Sequence, residues 1–575
     1  MRGRWSLAIA GVILILAGGL LAHFTQTADG IRIQDIRFKG AKGNTMSALL
    51  YIPANATAQT PAPGILAVHG YINSRETQDG FAIEFARRGY VVLALDQTGH
   101  GYSDPPAFAN GFGGPDGLAH LRSLDIVDKN NIGLEGHSMG GWTVLAAATA
   151  MPGDYKSMVL EGSSTGKPFA ADGTANWPRN VALVFAQYEE FSTLMWGVDL
   201  ARDVTKSPKL WTLFGTQGAV VSGKVYGDIA QGTARVLYTP AITHPAEHIS
   251  HQAIGYSLDW FAKTLQGGTP KPADDQIWLR KEIGTLIALL GFVALLIGAF
   301  DGLLEAKMFS RLRLPEIANG TMPEHVAADG RRWTMAFVLS AFIPALTYYP
   351  AFALAGTFVK PSAYLPQGIT NQIMVWAVIN ALITLALMPF APKRASRGGI
   401  IGQSVVIAVA SVIVGYAALW LADLVFKIDF RFWIVALKLM SAKQFLIFLI
   451  YLVPFTAFFV VALHVLHRNF STMASPRGAL YLTNILALTL GFIVLLVLQY
   501  GTLWLSGKLF NPLPDPGFVP LSTIVAIQFV PLLGICAVVA TFTWRRTGSS
   551  LPGALICGLF VTWYIVAGTA TQAAF

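Results

Sequence analysis

The 575-residue chain predicts an α/β domain on a mainly parallel sheet, followed by an all-α domain of many membrane spans. Three observations predict this. Apolar residues make up 53% of the chain and charged residues 13%, against about a quarter charged in soluble proteins, and the excess is concentrated after about residue 283. Between residues 30 and 275, short apolar runs bounded by turn residues alternate with helical patterns, as in a sheet with crossover helices. Third, Gly136-His137-Ser138-Met139-Gly140 lies between an apolar run, Asn131-Ile132-Gly133-Leu134, and a helix-forming run from Trp142 to Ala150. A serine therefore stands at the apex of a sharp strand-to-helix turn.

Taken in order, Arg2 and Arg4 precede an apolar run from Leu7 to Ala22. The exit, His23-Phe24-Thr25-Gln26, offers no small-x-small cleavage site, so residues 1–29 read as an uncleaved anchor and linker. In residues 30–275, Ile31–Phe38 and Met46–Ile52 read as an opening antiparallel pair. Strands at Gly64–Val68, Tyr90–Leu95, Ile132–Glu135, Ser157–Leu160, Val181–Phe185 and Ala234–Tyr238 follow, with helical patterns such as Gln78 to Arg88 between most of them. Pro53 to Pro63 reads as a loop. Residues 276–575 hold eight further apolar runs, at about 283–302, 334–357, 372–391, 400–425, 445–466, 479–505, 521–544 and 551–571. Each is long enough to cross about 30 Å of hydrocarbon.

If every run crosses, one set of loops collects Lys307, Arg311, Arg313, Arg331, Arg332, Lys393, Arg394, Arg397, Arg468, Arg477, Arg545 and Arg546, on the side of Arg2 and Arg4. The positive-inside rule then puts the N-terminus in the cytoplasm and residues 30–275 outside it. Lys427, Arg431, Lys438 and Lys443 are the exception, and Phe430 to Met440 reads as an amphipathic segment lying in the membrane interface. Short loops and Ala-rich spans point to a bacterial inner membrane. The net charge of +9 sits in these loops rather than on a repeated basic surface, which argues against a nucleic-acid partner. Cys536 and Cys557 lie within apolar runs and make no disulfide framework.

A serine hydroxyl needs a base, an acid to orient that base, and donors for the oxyanion. His69-Gly70-Tyr71 directly follows the strand ending at Val68, so the N–H groups of Tyr71 and Met139 are the natural oxyanion pair. The set Val68-His69-Gly70-Tyr71, Arg88-Gly89-Tyr90-Val91-Val92, Asp96-Gln97-Thr98-Gly99-His100-Gly101-Tyr102-Ser103 and Gly136-His137-Ser138-Met139-Gly140-Gly141 resembles the α/β-hydrolase superfamily over about residues 30–265. The resemblance implies an eight-stranded sheet and a serine hydrolase of the esterase, lipase or peptidase type, with Ser138 as nucleophile and no cofactor. It treats the Asp96–Ser103 turn as structural.

The family places its acid just beyond a late strand. The run from Arg179 to Glu190 resembles that strand and turn, with Ala186 and Glu189 where the family usually has Gly and Asp. Glu189 is the first choice, Glu190 the second and Glu161 the third. The run Lys209–Gly215 is a rival strand position, but it leads to no carboxylate. The base should follow the last strand, which makes His244 the first candidate and His248 the second, with His251 on the closing helix. Residues 162–180 and 190–225, with Trp177, Trp196 and Trp211, supply a small cap.

No His/Cys/Asp/Glu set has metal-site spacing, and no G-x-G-x-x-G follows a strand. Ionisable groups within the spans are sparse, Asp423 near one span end and His464 and His467 near another, which argues against an ion-coupled transporter. The expectation is a membrane-bound serine hydrolase acting outside the cytoplasm on a carboxylic ester, small or lipid-derived. The rivals are a peptidase, and a transporter or sensor whose hydrolase-like domain is a binding module.

Overall fold

A computed structural model describes residues 4–314, 330–391, 400–471, 476–513 and 518–574. Arg2, Lys393, Arg394 and Arg397 lie outside the described residues. The first apolar runs form an eight-stranded sheet: β1 (Arg32–Lys39), β2 (Thr45–Ile52), β3 (Ala62–Val68), β4 (Val91–Asp96), β5 (Val127–His137), β6 (Ser157–Glu161), β7 (Val181–Val184) and β8 (Arg235–Tyr238). Their spatial order is β1-β2-β4-β3-β5-β6-β7-β8. β1 pairs antiparallel with β2 and β2 with β4, and the remaining pairs are parallel. β5 starts at Val127 rather than near Ile132, because Ala62 and Pro63 extend β3 to pair with Val127 and Asp128.

The central strands are apolar on both faces because both are covered. Leu66 and Val68 join one core layer, with Leu145 and Ala148 of the helix Met139–Ala150. Ile65 and Ala67 join the other, with Phe81 and Phe85 of Asp79–Arg87 and with Phe261 of His251–Thr264. This is the α/β-hydrolase sheet. Lys209–Gly215, set aside as a position for the acid, lies in the helix Pro208–Phe214 and its glycine cap, started by Pro208 and by Ser207, whose Oγ accepts the Leu210 N–H at 3.4 Å.

Nine helices among the described residues are long and apolar enough to cross a membrane: Ser6–Gln26, Trp278–Leu303, Gly330–Phe358, Gly368–Leu387, Ile401–Phe426, Ala442–Phe470, Arg477–Ser506, Val519–Thr547 and Leu551–Gly568. This is the make-up of an integral membrane protein. The first two pack backbone to backbone. A Cβ on Gly18 would lie 2.3 Å from the Gly284 carbonyl oxygen, and one on Gly291 2.8 Å from that of Gly11. Small residues here let the helices approach closely.

The segment Phe430 to Met440, expected to be an amphipathic stretch in the interface, instead contains a short hairpin, β9 (Phe430–Phe432) and β10 (Val435–Leu437). It docks on the α/β domain. Arg431 pairs with Asp429 and lies 3.6 Å from Glu76, and Lys438 pairs with Glu76, all four residues being buried. The Asp96–Ser103 turn also meets the bundle. Thr571 donates its N–H to Gly99 O at 2.8 Å, and Gln444 donates to Gly101 O at 3.2 Å.

Candidate active site

The carboxyl ends of β3, β5, β7 and β8 converge on one edge of the sheet, where open α/β sheets bind ligands. Ser138 caps β5 with φ +55° and ψ −120°, a conformation costing roughly 1–3 kcal/mol in a non-glycine residue. Surrounding contacts impose it. Its N–H donates to Glu161 O at 2.8 Å, and Gly141 donates back to Ser138 O at 2.9 Å. A Cβ on Gly140 would lie 2.0 Å from Val68 O, so only glycine lets the helix start this close to β3. Ser138 itself is half-buried.

The loop leaving β3 runs beside the elbow: a Cβ on Gly70 would lie 3.1 Å from Ser138 Cβ. Tyr71 follows, its ring against His100 and Phe108. Met139 is the first residue of its helix, where N–H groups have no partner within the helix. Both candidate oxyanion donors therefore flank the serine.

The structure brings His244 to Glu189. His244 Nδ1 is 2.8 Å from Glu189 Oε1 and 3.0 Å from Oε2, and Phe191 N–H donates to Oε1 at 3.1 Å. Glu190 does something else: its Oε2 accepts the His244 backbone N–H at 2.8 Å. The two neighbouring carboxylates thus hold one residue, one by the ring and one by the backbone. Burial pushes the His244 imidazole down to about 3 and the Glu189 carboxyl up. Burial keeps the resting ring uncharged, and the 2.8 Å contact with His244 Nδ1 works against neutralisation of the Glu189 carboxylate. Burial, reinforced by Glu189, raises Glu190 to about 8.

The other candidates lie apart from this pair. Glu161 is buried beneath the elbow and accepts from Ser257 Oγ. The His248 ring lies tilted against His137, with centroids 3.8 Å apart, and neither of its ring nitrogens has a partner among the described residues. His251 begins the closing helix, exposed.

Two residues were missed by the sequence reading. Glu247 reaches across to accept the Ala186 N–H at 3.1 Å, tying the loop after β8 to the turn after β7. His137 Nε2 lies 3.1 Å from His244 O and 3.3 Å from Glu247 Oε2. His137, His244 and Glu247 are also near enough together to hold a metal ion, a grouping their separation along the chain hides. Their contacts with one another and with Glu189 already account for the placement of these side chains. The Asp96 carboxylate accepts from Ser47 Oγ and from the Arg75 and Tyr102 N–H groups, which makes it a brace for the β4 turn.

A sequence model of the serine aminopeptidase S33 family (Hydrolase_4) matches residues 59–188. The chain is 33% identical over 122 residues to a monoacylglycerol lipase of Mycolicibacterium smegmatis, covering 18% of this chain and 40% of that protein. It is 38% identical over 80 residues to a 2-hydroxy-6-oxononadienedioate/2-hydroxy-6-oxononatrienedioate hydrolase of Cupriavidus pinatubonensis, covering 14% of this chain and 28% of that one. The chain thus spans less than half the length of either relative. Among solved structures, an esterase of Pyrococcus furiosus aligns over 42% of this chain and 94% of its own, at 16% identity and a TM-score of 0.31.

Proposed function

We propose that this chain, an α/β-hydrolase domain fused to a helical membrane domain, is a membrane-bound serine hydrolase that cleaves a carboxylic ester on the extracytoplasmic side. The observation that carries the reading is the His244–Glu189 contact of 2.8 Å on the sheet edge where Ser138 stands at its strained apex. In this mechanism His244 Nε2 takes the Ser138 Oγ proton as the oxygen attacks the ester carbonyl. Glu189 holds the proton on Nδ1 and stabilises the imidazolium that forms. The Tyr71 and Met139 N–H groups receive the oxyanion. His244 returns the proton to the leaving alkoxide, and water, activated by the same ring, releases the acid from Ser138. The local likeness to a monoacylglycerol lipase and the attached apolar helices favour a lipid-derived ester over a peptide.

A fluorophosphonate probe separates this reading from a binding module, because it labels only an activated serine. The full-length protein in detergent should be labelled, and Ser138→Ala should lose both the label and about 10⁴-fold in turnover of a short acyl ester. Glu189→Gln should lose at least ~10²-fold in kcat with little change in KM, and Glu190→Gln less than ~10-fold. Label persisting in Ser138→Ala removes the nucleophile assignment. Full activity in Glu189→Gln removes the acid.

A further inference from the structure

The helix bundle contains a cavity that the hydrolase reading leaves unused. The space that the centre of a water-sized sphere can reach is about 70 Å³, and with the open space at its mouth the gap between atoms reaches about 940 Å³. Its walls within the bundle are apolar and aromatic: Ile373, Trp376, Phe458, Phe529 and Val561. Protein interiors are otherwise close-packed, and apolar voids do not hold water. Such a space calls for an apolar occupant.

The mouth identifies which one. It is lined by Ile72, Asn73, Ser74 and Thr77, the continuation of the Gly70–Tyr71 turn that runs beside Ser138. Trp433, from the β9–β10 hairpin, lines it as well and donates its indole N–H to Pro245 O at 2.7 Å, one residue from His244. The cavity therefore abuts both the nucleophile's oxyanion loop and the loop carrying the base. Arg431 and Lys438 of the hairpin also line it, as does Gln528, next to Phe529 in the bundle.

We infer that this cavity is the chamber for the acyl chain of the ester substrate, held among the membrane helices while the carbonyl lies at Ser138. The identity of the occupant rests on the hydrolase reading; the existence of a chain-binding chamber does not. The chamber also gives the helices a task that a single anchor could not perform.

Two measurements on the full-length protein test it. Ala377 is buried on the chamber wall, and Ala377→Phe fills space there. The ratio of kcat/KM for a 4-nitrophenyl ester of a long fatty acid (about sixteen carbons) to that of the butyrate ester should fall at least ~10-fold, a change in selectivity that a general folding defect would not produce. An unchanged ratio overturns the proposal. The second measurement needs no hydrolysis. A long-chain fatty acid bearing a terminal diazirine, photolysed with the unaltered protein in nanodiscs, should form adducts at Trp376, Phe458 or Phe529. Adducts confined to outward residues such as Leu382 and Val453, which are exposed, overturn the chamber. Adducts inside the bundle in a protein that cleaves neither ester would uphold the chamber and defeat the hydrolase reading instead.

Discussion

Glu135, just before the elbow on β5, shows how a single buried carboxyl sets the response of the site's foundation to pH. It is fully buried, and its two oxygens each accept from Gln78 Nε2 at 2.8 Å. Burial pushes it from 4.5 up to about 8. Gln78 Oε1 has no partner among the described residues. A protonated Glu135 can donate its O–H there while still accepting from the amide, which completes a reciprocal pair. Between pH 4.5 and about 8 the folded protein therefore holds a proton that the unfolded chain has released. Stability falls as pH rises through that window, by up to about 1.4 kcal/mol per pH unit for this one group. Glu135→Gln, which keeps the pair and removes the titration, should flatten the fall in apparent Tm between pH 5 and 8 and raise Tm at pH 8. A variant whose Tm declines as steeply as the parent's would assign the pH response to another group.

At the scale of elements, the β9–β10 hairpin is the strut between the two parts, and Glu76 is its anchor. Burial alone would raise the Glu76 carboxyl, but Lys438, Arg75 and Arg431 together hold it well below the usual range. Removing it leaves three buried cations short of an acceptor, and breaking a buried pair typically costs about 3–5 kcal/mol. Glu76→Gln should therefore lower the apparent Tm far more than Lys438→Met, which leaves Glu76 with two cations. Equal losses would mean that the network does not centre on this carboxylate. The strut also marks where the sequence stopped being legible. The central strands were readable because each is a short apolar run buried on both faces, and the turn at Ser138 because its glycines and serine fall in one five-residue stretch between a strand and a helix. The contact of Glu189 with His244 was reachable, since each follows a strand end. By contrast, Phe430 to Met440 looked amphipathic because Arg431 and Lys438 alternate with aromatics, and nothing local says that their partner is Glu76, over 350 residues earlier. Glu247 and Trp433 were hidden for the same reason: each acts through a backbone group whose position only the assembled fold defines.

Across the whole molecule, the ends of the nine apolar helices alternate between two faces. Gln26 donates to Phe426 O, Lys443 pairs with Asp104 at 3.0 Å and Lys508 with Asp199 at 3.0 Å, all on the face that carries the α/β domain. At the opposite face Arg4 pairs with Glu305, Arg546 with Asp301 at 2.8 Å, and Leu314 N–H donates to Arg546 O. If each of the nine apolar helices among the described residues crosses, the first and last described residues lie on opposite sides. The basic residues follow the same division. Lys438, Lys443 and Lys508 face acidic partners of the α/β domain, whereas Arg4 and Arg546 pair at the other face, and the loops that alternation would put there hold Lys307, Arg311, Arg313, Arg331, Arg332, Arg468, Arg477 and Arg545, as the positive-inside rule expects of a cytoplasmic side. We propose the orientation that this division would give, with the α/β domain outside the cytoplasm. Single cysteines in a background lacking Cys536 and Cys557 report it directly. Thr60→Cys, on an exposed loop of the α/β domain, should react with a membrane-impermeant maleimide in intact cells, and Arg331→Cys should react only after the membrane is opened. Both sites are exposed, so accessibility differs only through the bilayer. The opposite labelling pattern would invert the protein, and would require the ester to be met from the cytoplasm.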